Sequence, residues 1–244
     1  MIRYCPDELN FGAVPSLRSS RQMFVDFPPG RPDATITITI EQIEPTFAIS
    51  GIWLYDPEYP LAPASPVGPE SGPFALPGRL GMQISVLAKF KEASVESDRT
   101  SEGLLKINGN NWMGGEHTLE IALFAMNAEI KIMPANYDAV TVTRKPGEWA
   151  LAKVLRAQWV SGPEALVHLR LKHDSTHGKI GQPTMAYPIP PHGDKEIHLY
   201  VDPSLADGSY PITAIGQTDY GVYRGRPVFG PWFFTGILME VVTI

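Results

Sequence analysis

Cysteine is almost absent from this sequence: Cys5 is the one cysteine among 244 residues. An internal disulfide framework is therefore excluded. The opening stretch MIRYCPDELNFG lacks an apolar core of signal-peptide length, and no hydrophobic run is long enough to span a membrane. We therefore expect no membrane insertion. Two compartments stay open, because a cytoplasmic protein and a surface or secreted protein whose leader has been removed both match these features.

Positive charge is scarce as well. The chain has 20 Lys and Arg residues against 26 Asp and Glu residues, which gives a net charge of −6. The whole excess lies in residues 1–127, which hold 9 basic and 15 acidic residues, whereas residues 128–244 hold 11 of each. Proteins that bind a phosphate backbone carry basic surfaces. Neither half is basic overall, so a nucleic-acid partner is not expected.

The motifs of common enzyme classes are missing too. The sequence contains no nucleophile elbow, zinc-protease helix motif, P-loop or dinucleotide glycine fingerprint. Glycine pairs occur in GRLG and GPWFFTG, but no helix is predicted after them that would bind a phosphate. Cys5 has no candidate base beside it in the sequence. We therefore predict a protein that is not an enzyme and that needs no cofactor.

Helical periodicity is weak, and 24 prolines and 22 glycines interrupt the long helical windows. Alternation of apolar and polar residues, which is typical of β-strands, is frequent instead. It occurs in RQMFVDF, TITITIEQI, MQISVLAKF, AVTVTR, ALVHLRLKH, KEIHLYVD and GILMEVVTI. The segment EWALAKVLRAQWV, 148–160, matches either a helix or a long strand in which Trp149, Leu151 and Val154 face inward. The strands around it favour a strand.

Many short strands separated by turns predict an all-β protein built from antiparallel β-sandwiches. About seven strands in each half match two tandem immunoglobulin-like domains, which we place at 1–127 and 128–244. Residues 56–79 are rich in proline, and these prolines cannot all be paired in a central strand. This segment is predicted to form a stiff loop between two strands of the first domain.

The stretch PSLADGSYPITAIG, residues 203–216, predicts a tyrosine corner. In immunoglobulin-like sandwiches, a tyrosine near the start of one strand sends its hydroxyl to a backbone group a few residues upstream. Tyr210 is placed for this role. Asp207 and Gly208 supply the preceding turn, because Asp can hydrogen-bond its own backbone and Gly allows a positive φ. Ile212 and Ala214 are expected to share a face with Tyr210.

Both halves resemble known families. The stretch IPPHGDKEIHLYVDPSLADGSYPITAIG, 189–216, resembles the later strands of bacterial immunoglobulin-like domains attached to glycosidases and cell-surface proteins. In the first half, ELNFGAV, FAISG, GPFALPGRLGMQISVLAKFKEAS, SEGLLKINGN and HTLEIALFA resemble the ASH/hydin-like domain, which is related to the major-sperm-protein domain. The long segments 56–79 and 217–244 depart from these patterns. The resemblances imply a spacer, scaffold or interaction module and assign no catalytic residue.

Three histidines and one aspartate lie close together in HLRLKHDSTHGK: His168, His173, Asp174 and His177. Imidazole and carboxylate are common metal ligands, so this stretch is a candidate metal site. However, His168 alternates with apolar residues and therefore lies on a solvated strand face. Arg170 and Lys172 on the same face would repel a dication. We predict that no metal binds here.

The segment TDYGVYRGRPVFGPWFFTG, 218–236, is the strongest candidate binding surface. Its candidate binding residues are Tyr220, Tyr223, Arg224, Arg226, Phe229 and Trp232. Tyr, Trp and Arg concentrate binding energy at protein interfaces, and the glycines and prolines predict that part of the segment stands out as a loop. We therefore predict a non-catalytic structural or protein-interaction module, acting as a scaffold, an adhesion element or an assembly subunit, and we expect a protein partner or self-assembly. Aromatic faces also bind sugar rings, so an accessory carbohydrate-binding module is the alternative. A structural role, in which Trp232, Phe233 and Phe234 fill the sandwich core or the groove between the two domains, is the third interpretation.

Overall fold

The computed structural model describes residues 3–14, 19–27, 33–56, 65–67, 72–75, 80–90, 100–112, 115–134, 139–173 and 178–244. Within these ranges every regular element is a β-strand. The predicted all-β fold is therefore confirmed. In the same ranges there is no helix that could cross a membrane.

The described chain divides into two compact units. The described residues of the first unit lie within Met1–Ala93 and Thr100–Asn127. The described residues of the second unit lie within Ala128–Ile244. Each unit is an immunoglobulin-like sandwich of two β-sheets that enclose their own hydrophobic core.

Ten described strands form the first unit. They are β1 (Arg3–Cys5), β2 (Glu8–Ala13), β3 (Ser19–Phe27), β4 (Thr35–Gln42), β5 (Phe47–Tyr55), β6 (Ser65–Val67), β7 (Phe74–Ala75), β8 (Leu80–Ala88), β9 (Thr100–Trp112) and β10 (Gly115–Met126). One sheet has the order β1-β3-β8-β5-β6 and the other β2-β10-β9-β4-β7. Alternation decides which side chains enter the core: in TITITI, Ile36 and Ile38 are fully buried between the sheets.

Two pieces of the proline-rich segment 56–79 are strands, where a loop was predicted. Strand β6 pairs with β5 and strand β7 pairs with β4, each at the edge of its sheet. Pro66 lies in β6, and an edge strand tolerates proline because one side of its backbone needs no ladder partner. The rest of the segment is outside the described residues at 57–64, 68–71 and 76–79.

Ten further strands form the second unit. They are β11 (Glu129–Pro134), β12 (Val140–Arg144), β13 (Ala150–Ser161), β14 (Ala165–His173), β15 (Ile180–Gly181), β16 (Ala186–Ile189), β17 (Asp194–Val201), β18 (Gly208–Tyr223), β19 (Arg226–Phe229) and β20 (Phe233–Thr243). The smaller sheet has the order β11-β13-β17-β15. The larger sheet has the order β12-β20-β18-β14-β16, and β19 pairs with the end of β18.

Two strand pairs depart from the antiparallel arrangement that was predicted. Strand β2 runs parallel to β10, and strand β12 runs parallel to β20. The reason is a change of sheet early in each unit, between β1 and β2 and between β11 and β12. After this change, the early strand lies beside the closing strand of its unit and runs in the same direction.

The segment 148–160 contains strand β13, as the surrounding strands favoured. Val154 is fully buried as expected, but the inward placement of Trp149 and Leu151 is wrong, because these side chains are 62% and 55% exposed. Ala152 shares the inner face with Val154, so the neighbouring Leu151 points outward. A bulge then lets Leu155 turn inward beside Val154.

The predicted corner residues lie at the start of β18. The Tyr210 hydroxyl donates a hydrogen bond to the Ala206 carbonyl oxygen at 2.7 Å, which is the geometry of a tyrosine corner. Gly208 has a φ of +154°. Ile212 and Ala214 are buried, and the Tyr210 ring packs against the same core.

Asp207 does not hydrogen-bond its own turn, so that part of the prediction is wrong. Its carboxylate accepts from the Thr243 backbone N–H at 3.0 Å and from the Thr243 hydroxyl at 2.6 Å. The reason is the buried guanidinium of Arg144, which lies 3.4 Å from the same carboxylate. Arg144 also donates to the carbonyl oxygens of Asp202, at 2.6 Å, and of Leu205. One cation therefore joins the ends of β12 and β20 to the turn before β18.

Removing the corner hydroxyl tests its contribution to stability. We expect Tyr210→Phe to lower the free energy of unfolding of the second unit by about 1 kcal/mol, because the Ala206 carbonyl loses its donor. Urea denaturation followed by fluorescence measures the change. Tyr200→Phe is the matched control, since the Tyr200 hydroxyl is exposed and has no hydrogen bond to a described residue. Equal stability of the two variants would contradict the role of the corner.

The Asp207 contacts predict a pH dependence. Hydrogen bonds from the Thr243 hydroxyl and N–H, and then Arg144, lower the pKa of Asp207. The carboxylate therefore stabilises the second unit above the unfolded pKa of about 3.9, and this stabilisation is lost as the pH falls through the lower folded pKa. We expect Asp207→Asn to be less stable than the parent at neutral pH, with a difference that shrinks on acidification. Denaturation curves over a pH series measure this, and a difference that is constant with pH would refute it.

Candidate interaction surface

The segment 218–236 is mostly a β-hairpin, although a protruding loop was predicted for part of it. Strand β18 ends at Tyr223, and Arg224 and Gly225 form a two-residue turn with φ values of 49° and 80° before β19 begins. Two positive φ values are typical of the turns that match the twist of hairpin strands. Only residues 230–232 lie between β19 and β20.

Tyr220 is buried and does not present its ring at the surface, which corrects its assignment as a binding residue. Its side chain follows the inward positions of β18. Burial is the main cause that raises the pKa of Tyr220, and the carboxylate of Glu129 raises it further. A hydrogen bond with the backbone of Ile130 acts in the opposite direction and lowers this pKa.

The other candidate residues fall into two places. Tyr223, Arg224 and Arg226 lie at the end of the hairpin, where the Arg224 guanidinium is 5.5 Å from the centre of the Tyr223 ring, a cation–π contact. Phe229 is partly exposed on β19. Trp232 lies apart from the hairpin end, beside strands β14 and β18.

Trp232 borders a groove on the outer face, by which we mean the side of the larger sheet turned away from the core of the second unit. The groove encloses about 520 Å³, which is within the range of ligand pockets. Its described lining residues are His168, Leu169, Arg170, Met185, Ile215, Gly216 and Trp232. The register aligns Arg170 of β14, Ile215 of β18 and Phe234 of β20 in one row across the sheet.

Large apolar side chains are exposed around this groove. The exposed fractions are 61% for Trp232, 69% for Phe234 and 68% for Met185. Leu238 and Val242 continue the apolar strip along β20 and are also exposed. The interpretation that Trp232 and Phe234 fill the core is therefore wrong. It is correct in part for Phe233, whose side chain packs against the core.

Hydrogen bonds to backbone carbonyls hold both walls of the groove in place. The loop before Trp232 is fixed to β18, because the Gly230 N–H donates to the Thr218 carbonyl at 2.8 Å and the side-chain amide of Gln217 donates to the Gly230 carbonyl at 3.0 Å. On the opposite wall, the Met185 carbonyl accepts from the Leu169 N–H at 2.9 Å. The groove is therefore a preformed feature of the sheet.

A close glycine–aromatic pair explains how neighbouring aromatic residues face opposite ways. Gly216 lies directly across from Phe233 in the β18–β20 ladder, and the Phe233 ring covers the glycine on the core side. Only glycine leaves room for the ring there. With Phe233 turned inward, Phe234 is directed to the outer face.

Sequence reasoning identified Trp232 but missed the other residues of the groove. His168 and Arg170 were considered only for a metal site, although the alternation in ALVHLRLKH already places them on one face. Alternation likewise places Ile215 on the outer face, because Ile212 and Ala214 in the same strand face the core. Met185 reaches the groove from the edge of β16, and no local sequence pattern indicates this contact.

The structure brings together no metal site from the described residues, among which there is no suitable group of three or more His, Cys, Asp or Glu side chains. The His168 imidazole lies 3.7 Å from the Asp219 carboxylate. Asp174 and His177 lie outside the described residues, so the expectation of no metal in this stretch stays a prediction.

No family model matches this chain, and no curated protein matches it. Solved structures similar to it include the periplasmic chaperone SfaE, at 10% identity over 100% of both chains with a TM-score of 0.33. CBD12 from CALX1.2 matches at 10% identity over 89% of this chain and 80% of that chain, with a TM-score of 0.35. The E. coli chaperone DraB matches at 12% identity over 97% of this chain and 96% of that chain, with a TM-score of 0.31. These low TM-scores carry no argument about this chain.

The glycine–aromatic pair predicts a strong substitution effect. A Cβ atom at Gly216 would overlap the Phe233 ring and the His168 carbonyl oxygen, and the carbonyl belongs to the ladder and cannot turn aside. We expect Gly216→Ala to destabilise the second unit by about 1–3 kcal/mol, as overpacking does. Gly236→Ala in β20 is the control, because nothing lies within 4 Å of a Cβ atom there. Similar unfolding midpoints in urea for both variants would contradict the packing described.

Proposed function

We propose that this chain is a non-catalytic interaction module that binds a protein segment on the outer face of the second unit. The observation that supports this proposal is the preformed groove with Trp232, Phe234 and Met185 exposed around it. Exposed apolar area costs about 25 cal/mol per Å² relative to burial, and a contiguous patch of this kind is typical of an interaction site. A partner that covers these side chains recovers that free energy.

The chemistry of the groove favours binding over catalysis. Its described lining offers one imidazole and one guanidinium, from His168 and Arg170, and no carboxylate, thiol or hydroxyl side chain. A nucleophile and a base within hydrogen-bonding reach are the usual signature of covalent catalysis. The groove residues supply instead a Trp and an Arg, the residue types that dominate interface energetics.

The carbohydrate alternative has less support from the geometry. Neither Trp232 nor Phe234 stacks on another aromatic ring of the described chain, and both rings stand at the surface singly. A polypeptide can supply separate apolar side chains to separate sites, which suits this arrangement better than one flat sugar ring.

A displayed library of random peptides, selected on the immobilised full chain, tests the proposal. We expect enriched peptides to lose at least about 30-fold in affinity for the Trp232→Ala/Phe234→Ala variant, since hot-spot truncations cost about 2 kcal/mol or more. Trp149→Ala is the matched control, because Trp149 is 62% exposed and Trp232 is 61% exposed.

Three outcomes would contradict the proposal. They are a selection that enriches no peptide, peptides that bind the double variant as well as the parent, and peptides that are lost equally on Trp149→Ala. A panel of soluble polysaccharides is assayed in parallel on the same variants. Trp232-dependent binding of a polysaccharide, with no enriched peptide, would establish the carbohydrate-binding alternative instead.

A further inference from the structure

Three basic side chains share the outer face of β14: His168, Arg170 and Lys172. They occupy alternate positions, so they form a row along the strand. The residues directly across from them on β18 are uncharged: Gln217, Ile215 and Thr213. The row therefore has no acidic neighbour at the directly paired positions of β18.

Two of these cations are uncompensated within the described chain. Arg170 and Lys172 form no ion pair or side-chain hydrogen bond with any described residue. Among the described residues, His168 is the one member of the row that approaches a carboxylate, that of Asp219 at 3.7 Å. Besides Asp219 on β18, the described strands of this face carry one more acidic residue, Glu240 on β20. It lies several positions along β20 from Phe234.

Two cations of the smaller sheet of the same unit are paired with acidic residues. Lys153 pairs with Glu196, and Arg156 pairs with Asp194, in neighbouring positions of β13 and β17. Arg170 and Lys172, in contrast to Lys153 and Arg156, have no ion-pair partner among the described residues. They lie on the face that also carries the groove and the exposed aromatic residues.

The two kinds of side chain border the groove from opposite sides. The row on β14 and the aromatic residues of the β20 side are two strand spacings apart, or about 10 Å. Arg170, Ile215 and Phe234 mark this width in a single cross-strand row. Such a surface is complementary to a segment with carboxylates along one side and apolar side chains along the other.

We infer that the protein segment bound on the outer face is an acidic peptide, whose carboxylates lie over Arg170 and Lys172 while an apolar side chain enters the groove between Trp232 and Met185. This inference rests on the proposed function and adds the chemistry of the partner. Residues 128–244 hold 11 basic and 11 acidic residues, so the second unit as a whole does not attract acidic peptides and a local cationic site is needed to do so.

Charge reversal tests the inference with the same random peptide library. The full chain, an Arg170→Glu/Lys172→Glu variant and a Lys145→Glu/Lys195→Glu control are used as separate targets. The control changes the net charge equally at exposed positions that belong neither to the groove lining nor to the row on β14. We expect the parent and the control to enrich peptides that combine Asp or Glu with aromatic or aliphatic residues, and the reversed variant to enrich peptides with Lys or Arg.

Direct titration then measures the size of the effect. A peptide selected on the parent should bind the reversed variant about tenfold or more weakly, because two attractive charges become repulsive. Its affinity for the parent should also fall as salt rises, since screening acts over about 10 Å at 0.1 M ionic strength. Arg170→Gln/Lys172→Gln replaces the reversed variant if the latter has a lowered Tm, and should give the same direction of change.

The outcomes separate the two proposals. Enriched peptides that depend on Trp232 and Phe234, but lack acidic residues and ignore the charge reversal, would overturn the acidic partner and leave the proposed function intact. Peptides that ignore both sets of substitutions would overturn both. Binding of an acidic polysaccharide that depends on Arg170 and Lys172, without any enriched acidic peptide, would also overturn the inference.

Discussion

The geometry of the second sandwich depends on the hydrogen bonds that the buried Arg144 guanidinium donates. This guanidinium joins the end of β12 to the carbonyl oxygens of the 202–207 turn and to the Asp207–Thr243 pair. A cation removed from water is costly unless its donors are satisfied, and the fork of an arginine can satisfy several acceptors at once. These bonds fix the start of β18 and the end of β20, the two strands that carry most of the outer face.

Glycine–aromatic packing is a second constraint, and it recurs in both units. The Phe233 ring covers Gly216, the Tyr55 ring covers Gly81 directly across the ladder, and the Trp53 ring covers Gly51. Each ring fills the space that a side chain would otherwise occupy, which stabilises an unprotected strand glycine. At Tyr55, burial and a hydrogen bond to Asp26 raise the pKa to about 12, so the phenol stays neutral under ordinary conditions.

The outer face combines two features that a monomeric surface usually keeps apart: cations that have no ion-pair partner among the described residues, and exposed large apolar side chains. Neither is unusual singly, but here they border one groove whose walls are held by hydrogen bonds to backbone carbonyls. A rigid groove loses little conformational entropy when it binds, so more of the contact free energy appears as affinity. The local pattern of charge, rather than the net charge of the chain, then determines which partner is attracted.

The sequence by itself determined the all-β class, the strand at 150–161 and the position of Tyr210 at the start of β18, because alternation and turn residues are local signals. It also contained the row His168, Arg170 and Lys172 as a period-2 pattern. Only the tertiary structure decided that Tyr220 lies beside Glu129 and Ile130, that Arg144 donates to the 202–207 turn, and that Met185 and Trp232 line one groove. These contacts join residues that are distant along the chain, so strand order and register create them, and no single stretch of sequence specifies either.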